Sequence, residues 1–211
     1  MKHFLLAIVL IFAVGMMPGC HNLQGQVSIT ETYVSSYEIA GAVYPLAKTY
    51  LARLEETGTL VGDKLVAYKA GYGRAQAFGI QAGEILTKYI DAPSASLMTN
   101  YPALLQEVVI ILADLSGGKL VNASGKPMAM KGVGKEYVRG MRVVPDVGKV
   151  ALKPKGLAIT PDQVILTLNL LLVTIDKLAA YYGAPETLSA EQKAAYKARV
   201  EFTKKSIPDW L

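Results

Sequence analysis

The chain has 211 residues, of which 52% are hydrophobic and 18% charged, with a formal net charge of +5. This composition is too apolar and too weakly charged for an intrinsically disordered protein. The sequence also lacks the repeated apolar spans of a polytopic membrane protein. Its single cysteine excludes an intrachain disulfide.

The first residues of the chain have the pattern of an export signal. Lys2 gives a basic start, and residues 4–14 form an unbroken apolar run of the length found in signal peptides. Gly15 and Pro18 then interrupt any helix. This pattern predicts a signal peptide over residues 1–19.

The lone Cys20 follows Gly19 directly after this apolar run. The arrangement resembles the lipobox of bacterial lipoproteins, although Met17 and Pro18 replace the leucine and small residue usual in that family. The resemblance implies cleavage before Cys20 and attachment of lipid to its sulfur. Because His21 rather than aspartate follows, the same resemblance favours the outer membrane over the inner membrane. The alternatives are an uncleaved anchor and a secreted protein without lipid.

Residues 20–27 are predicted to be the lipidated cysteine and its tether. About seven residues after Cys20 span at most ~25 Å when fully extended. The folded domain is therefore expected to stay close to the bilayer.

Residues 28–211 predict a single all-α domain of about five helices, built on an N-terminal αα-hairpin. Ser28 and Glu31 form a capping-box pattern that opens a first helix over about 29–56. A second helix over about 60–90 follows a short link, which makes the two helices antiparallel neighbours. A third helix is predicted over about 101–115.

Two further helices are predicted in the C-terminal part of the chain. Thr160 and Pro161 are a typical cap and first residue for a helix that continues to Tyr182. Ser189 and Gln192 form another capping box, and it opens a charged helix that ends at about 205.

The second helix carries a ladder of small residues at every fourth position: Ala67, Gly71, Ala75, Gly79 and Gly83. Each glycine inside a helix costs about 1 kcal/mol relative to alanine. The ladder therefore predicts close packing against the first or the fourth helix. The alternatives are a self-association surface and a membrane-inserting helix, although the charges on this helix argue against a simple span.

Residues 116–158 differ in character from the rest of the chain. They contain eight of the nineteen glycines and three prolines, which predicts an irregular insertion with short strands around 119–121, 137–144 and 150–152. They hold nine basic and two acidic residues, a net charge of +7. Residues 20–211 hold 21 basic and 17 acidic residues, a net charge of +4, so the remainder of the mature chain sums to −3.

This concentration of charge makes the insertion the candidate binding site. The candidate anion-binding residues are Lys119, Lys126, Lys131, Lys135, Arg139, Arg142 and Lys149. The expected partners of an envelope protein are anionic lipid, lipopolysaccharide or a wall polymer. Nucleic acid is not expected, because the insertion has a single aromatic residue and the protein is exported. The competing interpretation is a solvated loop whose charge only aids solubility.

The distribution of reactive side chains favours a non-catalytic binding or structural role. The two histidines, His3 and His21, lie in the signal and the tether, which excludes histidine-dependent nucleophile systems and His/Cys zinc sites from the domain. We therefore expect no catalytic residue, metal or cofactor. The alternative is a hydrolase or lyase that uses Tyr or Lys together with Glu107, Asp114 and Asp176, three acids in apolar helices.

A second resemblance concerns residues 50–89. A helix ending in Leu-Ala-Arg-Leu-Glu-Glu-Thr-Gly, followed by an alanine-rich helix, is similar to small helical lipoproteins encoded by phages and prophages. This resemblance implies an envelope protein that acts in exclusion or lysis. It provides no site motif.

Overall fold

The computed structural model describes residues 28–122, 124, 126–127, 140–145, 159–179 and 185–210. They form α1 (Ile29–Glu56), α2 (Gly62–Asp91), α3 (Ala95–Met98), α4 (Tyr101–Leu115), β1 (Gly118–Val121), β2 (Arg142–Pro145), α5 (Pro161–Ala179) and α6 (Ala190–Ser206). Five of the helices pack around one apolar core, and the two strands form a small antiparallel sheet. The predicted all-α bundle is confirmed. The four-residue α3 is an addition that the sequence did not predict.

The N-terminal hairpin of α1 and α2 turns at Gly58, whose positive φ of 69° suits glycine. Leu60, 1% exposed, anchors this turn in the core. Beyond their mutual contact, α1 packs on α5 and α6, while α2 packs most extensively on α4. The hairpin is therefore the centre of the bundle.

Four members of the small-residue ladder of α2, Gly71, Ala75, Gly79 and Gly83, lie buried in this centre, whereas Ala67 is exposed. A β-carbon at Gly79 would overlap the hydroxyl of Tyr44, and one at Gly83 would overlap the hydroxyl of Tyr37. A β-carbon at Gly71 would lie 3.2 Å from a methyl carbon of Leu115. Close packing against the first helix, α1, is confirmed. The other partner is α4, which is the third helix of the prediction. The predicted fourth helix corresponds to α5.

The start of α1 differs in part from the sequence prediction. The Ser28 hydroxyl accepts a hydrogen bond from the Glu31 N–H at 3.1 Å, as a capping box requires. The second bond of a capping box, from the N-cap backbone N–H to the Glu31 side chain, is not among the bonds of the described residues. Glu186, which precedes α6, instead accepts bonds from the Ser28 hydroxyl at 2.7 Å and from the N–H groups of Ile29 and Thr30 at 2.8 and 3.1 Å. A distant carboxylate can take this place because the first N–H groups of a helix have no partner within the helix.

The starts of α5 and α6 follow the sequence prediction. The Gln163 side chain accepts from the Thr160 N–H at 2.9 Å. Both halves of the box formed by Ser189 and Gln192 are present. The predicted continuation of α5 to Tyr182 lies outside the described residues.

One end of the bundle, here termed the proximal end, contains the start of α1. The Tyr101 hydroxyl, at the start of α4, donates to the Tyr33 carbonyl of α1 at 2.8 Å. Lys197 of α6 pairs with Asp91, the last residue of α2. Ile165, near the start of α5, lies beside Gly118, just after the end of α4, and Glu186, shortly after α5, binds Ser28 at the start of α1. The C-terminal end of α5 therefore also lies at the proximal end.

One stretch of the described residues, Ala95–Leu115, is long and apolar enough to cross a membrane by length and composition. It comprises α3 and α4. In this fold Leu105, Val108, Val109 and Leu112 of α4 are fully buried in the core. Packing within the bundle therefore accounts for the apolar character of this stretch.

Candidate functional site

The basic insertion, residues 116–158, contains a hairpin formed by β1 and β2. Val121 pairs with Arg142 and Leu120 with Val143 in the antiparallel register. Leu120 and Val143 are 2% and 3% exposed and pack into the core. Because side chains alternate along a strand, Lys119 and Arg142 share the opposite side of the sheet, where both are exposed.

The predicted strands are confirmed only in part. The prediction for 119–121 matches β1. The prediction for 137–144 is corrected to Arg142–Pro145 within the residues described, since 131–139 lie outside them. The prediction for 150–152 also lies outside the described residues.

Side chains of α5 hold β2 in place. The Asn169 amide accepts a hydrogen bond from the Val143 N–H at 2.7 Å and donates to the Val143 carbonyl at 3.0 Å, as a neighbouring strand would. Asp176, two helical turns further on, accepts from the Gly140 N–H at 3.4 Å. Burial raises the pKa of Asp176, and the Gly140 hydrogen bond partly offsets this effect. Sequence reasoning missed Asn169, because a lone asparagine in a helix carries no local signal for a docked strand.

A close approach between backbone and side chain also fixes the hairpin. A β-carbon at Gly118 would lie 2.6 Å from a methyl carbon of Val143 and 3.5 Å from a side-chain carbon of Ile165. Any side chain at position 118 would therefore push β1 away from β2 and α5.

The hairpin has a defined direction relative to the bundle. Gly118 lies beside Ile165, near the start of α5, whereas Gly140 is bound by Asp176, near its end. Because α5 ends at the proximal end, the chain leaves β1 and returns to β2 on that side of the hairpin. The links at Val121 and Arg142 therefore lie on the proximal side of the hairpin, whereas Pro145, after which the chain continues to residues 146–158, pairs with Gly118 on the opposite side.

Lys126 lies close to the point where the chain leaves β1. Asn122 donates its N–H to the Lys126 carbonyl at 3.1 Å, and its side-chain oxygen accepts from the N–H groups of Ser124 and Lys126 at 3.1 and 2.9 Å. Val121 also forms a bridge with Pro127. These bonds fix the backbone of Lys126, and the residue itself is exposed.

Three of the predicted anion-binding residues thus belong to one hairpin: Lys119, Lys126 and Arg142. The other predicted site residues, Cys20, Lys131, Lys135, Arg139 and Lys149, lie outside the residues that the structure describes. Lys119 lies on β1, Arg142 on β2, and Lys126 in the turn that follows β1, so the fold fixes the backbone of all three cations.

The carboxylates of the alternative enzymatic hypothesis occupy different surroundings. Asp114 is exposed near the end of α4. Glu107 lies two helical turns earlier on the same helix and is partly buried. Asp176 is engaged with Gly140, as described above. Within the described ranges, no group of three or more His, Cys, Asp or Glu residues could hold a metal ion.

Comparison with family models, with curated proteins and with solved structures finds no match to this chain.

Proposed function

We propose that this protein is a lipid-anchored lipoprotein of the bacterial cell envelope, held at the outer membrane by Cys20. Its role is binding or structural. The basic insertion, entered through Lys119, Lys126 and Arg142, contacts an anionic surface of lipid headgroups, lipopolysaccharide or wall polymer.

The observation that carries the proposal is the direction of the hairpin. The proposed tether joins the domain immediately before α1, and the side of the hairpin that carries Val121 and Arg142 is nearer to this end of the bundle. A tether of about seven residues keeps this end within ~25 Å of the bilayer. Arg142 and the turn at Lys126 would then face the side of the domain that the proposed anchor draws toward the membrane.

Electrostatics gives such an arrangement a measurable effect. Each Lys or Arg close to an anionic membrane contributes about 1 kcal/mol to binding. Screening acts over about 8 Å at physiological salt, so only charges held near the surface contribute fully. Cations at the proximal end satisfy this condition, whereas cations at the opposite end of the bundle would lie farther away.

The test is binding of residues 21–211 to vesicles containing 30% phosphatidylglycerol, with pure phosphatidylcholine vesicles as the neutral comparison. We expect binding to the anionic vesicles alone, and a steep loss between low and high salt. Replacement of Lys119, Lys126 and Arg142 by Gln should weaken binding by about a hundredfold, because three contacts of about 1 kcal/mol each are lost. Lipopolysaccharide replaces the vesicles in a parallel measurement.

The matched control removes the same charge elsewhere. Lys64, Arg74 and Lys205 are exposed cations on α2 and α6 away from the proximal end, and their replacement by Gln should leave binding nearly unchanged. Equal losses for the two triple variants would mean that net charge, not the hairpin, drives binding. For the anchor, Cys20→Ser should release the full chain from membranes, and persistent membrane partitioning would contradict the lipid attachment.

A further inference from the structure

The outer face of α6 carries an apolar strip that no described element covers. Phe202 is 77% exposed, the highest value among the large hydrophobic side chains that the structure describes. Three exposed alanines, Ala194, Ala195 and Ala198, precede it at helical spacing. Because α6 packs on α1 and α2 through its other side, where Val200 is fully buried, this strip faces away from the bundle.

One charged residue lies at each end of the strip. Glu191 lies seven residues before Ala198, and Lys205 lies seven residues after it. Seven residues make two helical turns and a length of about 10.5 Å, so all three side chains lie on the same face. Glu191 and Lys205 are both exposed. Within the described residues, the ion pairs of α6 are made by other side chains: Lys197, Arg199, Glu201 and Lys204.

The strip is complementary to itself when two copies of α6 run antiparallel. With a two-fold axis at Ala198, positions at equal distances before and after Ala198 meet across the pair. Phe202, four residues after Ala198, then lies against Ala194 of the second copy. Glu191 lies opposite Lys205 of the second copy, and the symmetry forms this pair of opposite charges twice. A parallel arrangement would instead place like charges opposite each other.

The sizes of the side chains favour the same arrangement. Alanine at the crossing point lets two helices approach to about 8 Å, the short end of the usual range. Each Phe202 ring then meets a small residue rather than a second ring. Protein interfaces have an apolar centre rich in aromatic residues and a polar rim. The strip has this order, since its ring and alanines lie between the two charges.

We propose that this protein forms a homodimer through the outer faces of two antiparallel α6 helices, with the symmetry axis at Ala198. The occupant of the strip is a second copy of the same chain. A single pair of helices buries less area than a standard interface of roughly 1,600 Å², so the dimer is weak and reversible. At low protein concentration the vesicle measurements therefore report on the monomer. This inference is independent of the proposed membrane contact.

Cysteine cross-linking tests both the contact and its register. Residues 21–211 contain every described residue and no cysteine. Under copper-catalysed air oxidation, we expect Ala198→Cys to form a disulfide-linked dimer, because the two copies of this position meet at the axis. Glu191→Cys should not form one, because its two copies lie about 21 Å apart in an antiparallel pair. Ala103→Cys, at an exposed alanine of α4, measures linkage by random collision.

The rates of dimer formation on a non-reducing gel decide between the arrangements. If Ala198→Cys links no faster than Ala103→Cys, the outer faces of α6 do not meet and the proposal is overturned. If Glu191→Cys links as fast as Ala198→Cys, the helices pair in parallel, which also overturns the proposal.

Charge reversal tests the pairs at the ends of the strip. Sedimentation velocity over a range of protein concentrations measures the dissociation constant of the dimer. Glu191→Lys and Lys205→Glu should each weaken the dimer about tenfold, because each places like charges opposite each other at both ends of the pair. The two reversals combined in one chain should restore the dimer. Failure of the double variant to recover, with helical circular dichroism unchanged, would contradict the antiparallel register.

Removal of the ring tests the apolar part of the strip. Phe202→Ser should weaken the dimer by at least about tenfold, because two rings return to water. Leu166→Ser is the matched control, since Leu166 is 71% exposed on α5, and it should leave the dimer unchanged. Equal losses for the two variants, or no loss for Phe202→Ser, would overturn the proposal.

Discussion

The helical centre and the basic hairpin are held together by different contacts. In the centre, rings of α1 enter the small-residue ladder of α2, and the Tyr44 hydroxyl donates to the Ala75 carbonyl at 2.6 Å. The hairpin has a narrow apolar face and depends on polar contacts from Asn169 and Asp176. Because the two regions depend on different contacts, the stability of the fold and the placement of the cationic surface are separable properties. Substitutions can therefore disturb one and spare the other.

The largest effect is expected where the centre is tightest. Gly79→Leu forces a side chain into the space of the Tyr44 hydroxyl, and overpacking of this kind costs about 1–3 kcal/mol. The melting temperature should fall by about 2–4 °C for each kcal/mol. Gly73→Ala is the control, because a β-carbon at this exposed position of the same helix meets nothing within 4 Å. It should stabilise by up to about 1 kcal/mol, and equal losses for both variants would contradict the assignment of a buried ladder.

The contact between α6 and α1 should have the next largest effect. Arg199 forms forked hydrogen bonds with Glu31 and Glu38 at 2.7–2.9 Å. Arg199→Met leaves the two carboxylates without this cation, and we expect a loss of about 1 kcal/mol, since the site is one-third exposed and screened.

Urea unfolding at low and high salt measures the loss at Arg199. The deficit should shrink at high salt. Lys204→Met is the control, because its pair with Glu201 lies within one helix and is worth less than about 0.5 kcal/mol. A deficit independent of salt would mean that Arg199 acts through packing of its stem instead.

The hairpin should loosen without the bundle when its dock is removed. Asn169→Ala deletes both bonds to Val143, so exchange of the Val143 amide hydrogen should accelerate about fivefold or more, for about 1 kcal/mol or more of local stability. Amides of α1 and α2 should keep their protection. Thr174→Ala removes only a bond to the Leu170 carbonyl within α5 and serves as the control. If exchange rises throughout the bundle, the two regions are not separable.

The smallest expected effect concerns pH and the carboxylate that caps α1. Burial opposes ionisation of Glu186, but hydrogen bonds from Ser28, Thr30 and Ile29 outweigh it and hold its pKa below the ordinary 4.5. Burial likewise opposes ionisation of Glu31, and the hydrogen bonds and charge of Arg199 outweigh it. Both groups therefore stabilise the fold above pH 4.5, and this stability is lost as the pH falls through their lowered pKa values. Asp176, whose pKa is raised, acts in the opposite direction.

Glu186→Gln is the corresponding variant. It should cost about 0.5–1 kcal/mol at pH 7, as loss of a charged helix cap does, and it should flatten the fall in melting temperature below pH 4.5. Glu191→Gln, an exposed acid in the first turn of α6, is the control and should leave the slope unchanged. An unchanged slope for Glu186→Gln would remove Glu186 from the acid response.

Local signals in the sequence predicted the order and bounds of the elements well. Ser28, Pro161 and Ser189 mark helix starts through bonds within one turn, and such bonds require no knowledge of the rest of the fold. The ladder of α2 was also readable, because glycine inside a helix needs a compensating close contact. The first strand of the hairpin was predicted within one residue.

Contacts between distant parts of the chain could not be predicted in the same way. Glu186 caps α1 through Ser28, which lies 158 residues earlier in the chain. The two residues meet only after α5 and α6 have packed on the bundle. Asn169 has no strand-like signal, and the seat of Trp210 depends on α1 and α2 together. Of the candidate site, the sequence indicated which residues carry charge, whereas the direction of the hairpin follows from packing on α5.

The tyrosine hydroxyls give the bundle a registration that apolar packing alone would not. A ridge of glycine and alanine is smooth, so one helix could slide along it by a turn of 5.4 Å at little steric cost. The hydroxyls of Tyr44, Tyr72 and Tyr101 donate to main-chain carbonyls of the neighbouring segments. A slip of one turn would bring the Tyr44 hydroxyl against the β-carbon of Ala75 or the Tyr37 hydroxyl against that of Thr87, because only Gly79 and Gly83 leave the space that these hydroxyls occupy. The hydroxyls of these few tyrosines thus favour one alignment of the helices among several of similar shape.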